Sequence, residues 1–225
     1  MNSLDNRLML CARFVRRGSR LADIGTDHAY LPVWLCRNGV CPSAIAADIN
    51  PEPLARGRQT VVAAGLSDRI ELRLSNGLRE IAADETDDIV IAGMGGELIA
   101  AILDDCSYSR DPGKRFILQP MTKSEELLRR LCENGFTVTA QDCCVAAGKC
   151  YTVLQAHYTG LTPPKDELFY YTGILDPQNP THRRFLLEHA ARLDKKARGN
   201  RRYAAPAERL RQFVSGSSAT HKETL

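Results

Sequence analysis

The 225-residue sequence predicts an α/β fold: a mostly parallel, doubly wound, seven-stranded sheet ending in an antiparallel hairpin and followed by a small helical appendage. Three observations predict it. Short apolar runs at 21–24, 43–50, 70–74, 88–96 and 115–120 alternate with segments of helical periodicity, the pattern of βα units in a sheet covered on both faces. The rhythm then changes at 136–158, where two runs joined by Ala147-Gly148 read as a hairpin. Adjacent prolines at 163 and 164 then mark a boundary, beyond which helical spacing returns.

Each element has its own signal. Leu4, Leu8, Cys11, Ala12 and Val15 recur at helical spacing, so residues 3–17 are expected to form an amphipathic helix ended by Gly18 and Ser19. Leu21 to Ile24 is a first strand stopping at Gly25, and the residues after Asp27 take up a helical pattern. SAIAADIN (43–50) is a second strand, followed by a helix over 52–64 that Gly65 terminates. IELRL (70–74), DIVIAGMGG (88–96) and RFILQP (115–120) supply three more strands, the last two each followed by a helix, over 97–104 and 123–134. Phe185, Leu186, His189 and Leu193 give a helix over 181–198, and Ala207, Leu210 and Val214 a second. The division expected is a sheet domain over 1–160, a helical appendage over 161–214 and a disordered tail over 215–225.

Composition narrows the class. The chain is 44% hydrophobic and 25% charged, ordinary for a globular protein. Its first residues carry an early acid and no unbroken apolar core, unlike a signal peptide, and no run approaches the ~18 apolar residues of a membrane span. Eight cysteines in apolar segments are expected as reduced thiols of a cytoplasmic protein, and without a C-x-x-C pair no metal site is expected. No obligate protein partner is evident. The net charge of +3 is unevenly divided, because residues 161–225 carry 12 basic against 7 acidic side chains and residues 1–160 carry 18 against 20. That tail, with Arg13, Arg16, Arg17 and Arg20 near the front, suggests a polyanion held at the periphery, or solubility alone.

In an open parallel sheet, ligands lie beyond the carboxyl ends of the strands, so the residues there outline a site. They are Asp23, Gly25 and Asp27 after the first strand, Asp48 and Ile49 after the second, and Ser75, Asn76 and Gly77 after the third. Gly93, Met94, Gly95 and Gly96 follow the fourth, with Gln119 and Pro120 at the fifth. The first turn has a single glycine and two carboxylates, where a dinucleotide fingerprint has G-x-G-x-x-G and a P-loop has glycines and a lysine. Carboxylates repel a pyrophosphate, which disfavours a nicotinamide-dependent oxidoreductase. Asp48 follows Gly25 at the spacing of an acid that accepts bonds from ribose hydroxyls. Asn76 suits an adenine edge, Asp23 a cationic centre, and Gly25 a close approach of ligand to backbone. A ribose, an adenine and a positive centre together describe S-adenosyl-L-methionine.

DIGTDHAYLP (23–32), AADIN (46–50), NGL (76–78), IAGMGGELI (91–99), ILQP (117–120), ENGF (133–136) and GKCYTVL (148–154) together resemble the bacterial tRNA methyltransferases that modify N1 of adenine 22. The resemblance is dense over 3–158 and looser in the tail. It implies a Rossmann-like class I fold, S-adenosyl-L-methionine as methyl donor, and a C-terminal helical domain that helps hold tRNA. It places Asp23, Gly25, Asp48, Ile49, Asn76, Gly77 and Gly93 at the cofactor and Asp27 in the reaction pocket. It places Met94, Gly95 and Gly96 by the target base, where the strand-end residues Gln119 and Pro120 are also expected and where His28 and Tyr30 either line the pocket or are simply packed. The basic tail residues Arg183, Arg184, Lys195 and Lys196 are expected to hold the RNA backbone. SNGL departs from the GDGL more frequent in relatives, keeping an acceptor at Asn76 but losing a charge. The AGMGG segment stands where N6-adenine methyltransferases carry an NPPY-type motif, which argues for the ring nitrogen over the exocyclic amine.

The chemistry so implied needs no general base, since N1 already carries a lone pair and the product is cationic. Asp27 suits stabilisation of that cation, and it also suits a helix cap if the helix begins at His28. A target within folded tRNA has to be extruded from its stack. The competing reading is a non-catalytic tRNA- or protein-binding module on the same fold.

Overall fold

The computed structural model describes residues 4–216. In chain order it contains α1 (Asn6–Phe14), β1 (Leu21–Ile24), α2 (Tyr30–Arg37), β2 (Ala44–Asp48), α3 (Pro51–Ala63), β3 (Ile70–Leu74), β4 (Asp88–Gly95), α4 (Gly96–Asp105), β5 (Arg115–Thr122) and α5 (Ser124–Glu133). The hairpin β6 (Phe136–Ala146) and β7 (Lys149–Tyr158) follows, then α6 (Phe169–Thr172), α7 (Pro180–Ala197) and α8 (Ala204–Ser215). The expected elements are present, with ends moved by a few residues. α1 is shorter than the apolar spacing suggested, because the Asp5 carboxylate caps it by accepting the Leu8 N–H at 2.7 Å. The single turn α6 carried no sequence signal.

The seven strands run in the order β3-β2-β1-β4-β5-β7-β6. The first five are mutually parallel, and β7 lies antiparallel between β5 and β6. The strand order reverses between β1 and β4, which opens a crevice beyond their carboxyl ends. Successive strand residues point to opposite faces and both faces are covered, so the strands read as unbroken apolar runs. Leu21, Ala46, Val90, Ile117 and Val153 pack under α1, α2 and α3. Ala22, Ile45, Ile89, Phe116 and Leu154 pack under α4 and α5. All eight cysteines are free thiols, and burial pushes Cys41 up to about 12, so its thiol is inert.

A third core cluster lies under the appendage. Phe185, Leu186 and Leu193 of α7 and Leu210 and Val214 of α8 close over Cys143 and Cys150 of the hairpin. Helix α8 continues through Ser215 and ends in a left-handed Gly216, so these two residues are not part of a disordered tail. Residues 217–225 of that expected tail lie outside the described residues.

The front basic cluster is placed away from the crevice. Arg16 clamps the fully buried Asp88 carboxylate, donating from Nε at 2.7 Å, and Arg20 holds Asp87 with Nη2 at 2.8 Å. Both acids stand at the amino end of β4, opposite the strand ends that form the crevice. These two arginines therefore satisfy buried or half-buried carboxylates, and the peripheral reading of that cluster does not apply to them.

Candidate active site

The crevice is assembled from strand ends in register. β1 pairs with β2 through Ile24 and Ala47 and with β4 through Ile24 and Ile91. Asp23, Gly25, Asp48 and Gly93 are therefore brought to one end of the sheet by parallel pairing alone. Gly25 has φ +76°, and a Cβ there would lie 2.1 Å from the Met94 methyl. Only glycine satisfies both the backbone conformation and this contact. The turn after β1 thus rests directly on the segment after β4.

Asp23 is 6% exposed. Burial pushes its carboxyl up to about 6, opposed by a Thr26 hydroxyl bond and by Arg7, and reinforced by Asp48. A buried carboxylate so poorly balanced favours a cationic ligand beside it. Asp48 accepts the Asn50 N–H at 2.7 Å through one oxygen and has a second for a diol. Beyond it, Ile49 and Leu74 are 58% and 56% exposed and line a shallow cavity with Asn76. Exposed apolar side chains beside an amide suit a flat heteroaromatic ring. The chemistry of this donor set fits S-adenosyl-L-methionine.

On the other side, the β4–β5 ladder is interrupted between Ala92 and Met94, a bulge at Gly93. The Gly93 N–H is released to the Gln119 side-chain oxygen at 3.0 Å, and Arg7 of α1 donates to the same oxygen at 2.9 Å. Gln119 is fully buried, and its amide nitrogen donates to the Pro120 carbonyl at 2.9 Å. It braces the loop from behind, which corrects its expected place on the substrate surface. Gly96 is also buried, and a Cβ there would lie 2.2 Å from the Lys123 carbonyl oxygen. It allows α4 to start against the β5–α5 junction and is not free to meet a base.

The family described as "Methyltransferase domain" matches residues 4–154. A Bacillus subtilis (strain 168) protein named tRNA (adenine(22)-N(1))-methyltransferase is 37% identical over 172 residues, covering 76% of this chain and 72% of that protein. The chain belongs to the tRNA (adenine(22)-N(1))-methyltransferase family. Among solved structures, a Streptococcus pneumoniae protein described as a candidate tRNA (m1A22) methyltransferase in complex with S-adenosyl-L-methionine matches with TM-score 0.85 and 30% identity, over 94% of this chain and all of that one. M. capricolum TrmK, solved with S-adenosyl-homocysteine, matches with TM-score 0.77 and 25% identity, over 96% and 98% of the two chains. Family membership agrees with the resemblance carried by the motifs.

Within this family's fold, Asp27 does not cap a helix. The helix after β1 begins at Tyr30, behind a left-handed Ala29, and has no side-chain cap. The Asp27 side chain is 67% exposed and accepts from Arg56 Nη2 at 2.7 Å, with His28 Nε2 at 3.5 Å. His28 and Tyr30 stack, their rings 4.9 Å apart and nearly parallel. Sequence reasoning missed Arg7 and Arg56. Both are arginines on helices, and only the docking of those helices aims them at the crevice.

The basic residues expected on RNA divide on inspection. Arg183 donates to the Val214 carbonyl at 2.5 Å, and Arg184 bonds both Glu188 and the Gly148 carbonyl, so both tie the appendage together. Lys196 reaches Glu125 at 3.1 Å, and Lys195 is exposed on the same helix.

Proposed function

We propose that this chain transfers a methyl group from S-adenosyl-L-methionine to ring N1 of adenine 22 in tRNA. The carrying observation is the contact between the turn after β1 and the Gly93–Gly96 segment, where Met94 seats on Gly25. The elements assigned to donor and acceptor thus meet at one point. Family membership with the B. subtilis enzyme supports the same reaction and the same substrate.

Asp48 holds the ribose hydroxyls, Ile49 and Leu74 flank the adenine with Asn76 at its edge, and Asp23 faces the cationic centre. Arg7, held at Gln119 and acting on Asp23, would answer the amino-acid carboxylate of the bound cofactor. The bound cofactor supplies an activated sulfonium methyl group. For the target base, Asp27 orients the exocyclic amine and offsets the positive charge that N1 methylation leaves on the ring. That charge is greatest late in the reaction, so the carboxylate contributes more to the transition state than to binding. In the structure Arg56 neutralises Asp27, and an entering adenine displaces this exposed pair at little cost. The extruded base meets Met94 and the His28–Tyr30 stack. Among the described residues no helix is long and apolar enough to cross a membrane, and the setting proposed is the cytoplasm, where tRNA is found.

The test is incubation with S-adenosyl-L-methionine and bulk bacterial tRNA, followed by nucleoside mass spectrometry. A gain of 1-methyladenine with a primer-extension stop at position 22 is expected. Cofactor binding without any gain would favour the non-catalytic module.

A further inference from the structure

A second cavity, of about 650 Å³, lies between the β5–α5 junction, the start of β7 and helix α7. It is within the ~300–1,000 Å³ typical of ligand pockets. Four cations line it, Lys123, Lys149, Arg192 and Lys196, with the acids Glu125 and Glu188. Both acids are answered from within the protein. Glu125 is 6% exposed; burial acts to raise its pKa, yet His189 and Lys196 hold it down at about 2. Glu188 accepts from Arg184 at 2.8 Å. Lys123 is paired with Glu97. The surplus positive charge therefore belongs to Lys149, exposed at the hairpin turn, and to Arg192, which lies 5.8 Å from the Phe185 ring centre. Tyr151 adds a half-buried aromatic ring to the same wall.

The cavity adjoins the target-base segment across the β4–β5 ladder. Its floor is Pro120 to Thr122, and those residues pair with Met94 and Gly95 across the β4–β5 ladder. A polyanion strand that places one base at Met94 runs its neighbouring nucleotide into this space. We propose that the cavity is a nucleotide subsite for the tRNA strand adjoining the methylated adenine. Lys149 and Arg192 take the phosphate, and Tyr151 offers a face to the base. The inference rests on the tRNA reading for its ligand, and it moves the principal RNA contacts from Arg183 and Arg184 to Lys149 and Arg192. Glu125, paired with His189 in the same wall, holds Lys196.

The test uses the full chain with a fluorescently labelled tRNA transcript. The double variant Lys149→Ala/Arg192→Ala is expected to bind tRNA about 10-fold more weakly at moderate salt, with a salt slope lower by about two. Its affinity for S-adenosyl-L-methionine by calorimetry stays at the wild-type value. Arg37→Ala/Arg110→Ala removes the same charge from exposed sites elsewhere and is expected to change tRNA affinity less than twofold. Cross-linking of tRNA carrying 4-thiouridine near position 22 is expected to label the peptide containing Tyr151. Wild-type tRNA affinity and slope in the Lys149/Arg192 variant overturn the subsite, whatever else lines the cavity. Wild-type protein that binds tRNA here and forms no 1-methyladenine overturns the catalytic reading and leaves the subsite standing. Methylation with no effect of the double variant does the reverse.

Discussion

The two sides of the crevice are built by different means. On the β1–β2–β3 side, the residues assigned to the cofactor stand at or just beyond a strand's carboxyl end, and parallel pairing brings the three ends together. On the side formed by β4, β5 and the appendage, the important side chains come from a bulge, a helix N-terminus, a hairpin turn and α7. The first side is organised by backbone register, the second by the docking of separate elements. Substitutions on the first side should therefore act locally on cofactor affinity, whereas those on the second should separate binding of RNA from stability of the appendage.

Asp27 lies two residues beyond the Gly25 on which Met94 seats, and its removal should have the largest effect. Asp27→Asn is expected to lower the single-turnover methylation rate about 10²-fold or more, the scale of one lost preorganised electrostatic contact. Because its pair with Arg56 is exposed, stability should change by less than ~1 kcal/mol. Wild-type turnover in Asp27→Asn, at saturating cofactor, would show that the acid merely holds Arg56.

Asp23 should reveal a trade between stability and binding. Its folded pKa is raised from 3.8 to about 6, so the protonated form is favoured in the fold. That contribution is complete below about pH 4 and is lost as pH rises through 6, leaving the ionised fold poorer by about 3 kcal/mol. Without cofactor, Asp23→Asn should melt progressively higher than wild type as pH climbs from 4 to 7, while binding S-adenosyl-L-methionine more weakly at neutral pH. Parallel melting curves would sink the assignment of a strained buried carboxylate. Asp48→Ala should weaken cofactor binding by roughly 1–3 kcal/mol, the cost of unpairing a hydrogen-bonded group. Equal calorimetric affinities would remove Asp48 from the ribose. The smallest effect is expected from Arg184→Ala, which breaks contacts to Glu188 and Gly148. tRNA affinity should fall less than in the Lys149/Arg192 double variant, through the Glu188 carboxylate left unanswered in the cavity, and an equally large loss would return that arginine to the RNA surface.

The same contrast explains what was legible in the sequence. The seven strands and the strand-end acids follow from apolar runs and their spacing, because a parallel sheet aligns successive ends without further information. Asp27 lies in the turn as expected, and the alternative reading of it as a helix cap fails, since α2 starts two residues later behind Ala29. Gln119 was expected by the target base because it stands at a strand's carboxyl end; the bulge at Gly93 makes it an internal brace. The basic residues were the least legible. Charge along a chain does not say which arginines have a buried carboxylate waiting, as Asp88 waits for Arg16. Arg7 and Lys149 gave no local signal at all, being defined by contacts more than a hundred residues away or by a turn.

The placement of β7 between β5 and β6 has a consequence for how the protein is made. Strand β6 leaves the ribosome first yet becomes the sheet edge, and β7 must enter between it and β5. Helix α1, which precedes every strand described, packs against this hairpin, with Asn6 Nδ2 donating to the Val145 carbonyl at 2.8 Å. The docking surface of this helix, which also includes β4 and β5, is therefore completed only when residue 158 has emerged. A nascent chain halted before the hairpin would hold β1 to β5 but leave α1, which carries Arg7 to Gln119, without its contacts to β6 and β7. Such long-range closure slows folding and prolongs exposure of apolar surface. Competence for methyl transfer is thus acquired late in synthesis, when the two ends of the catalytic domain close on each other.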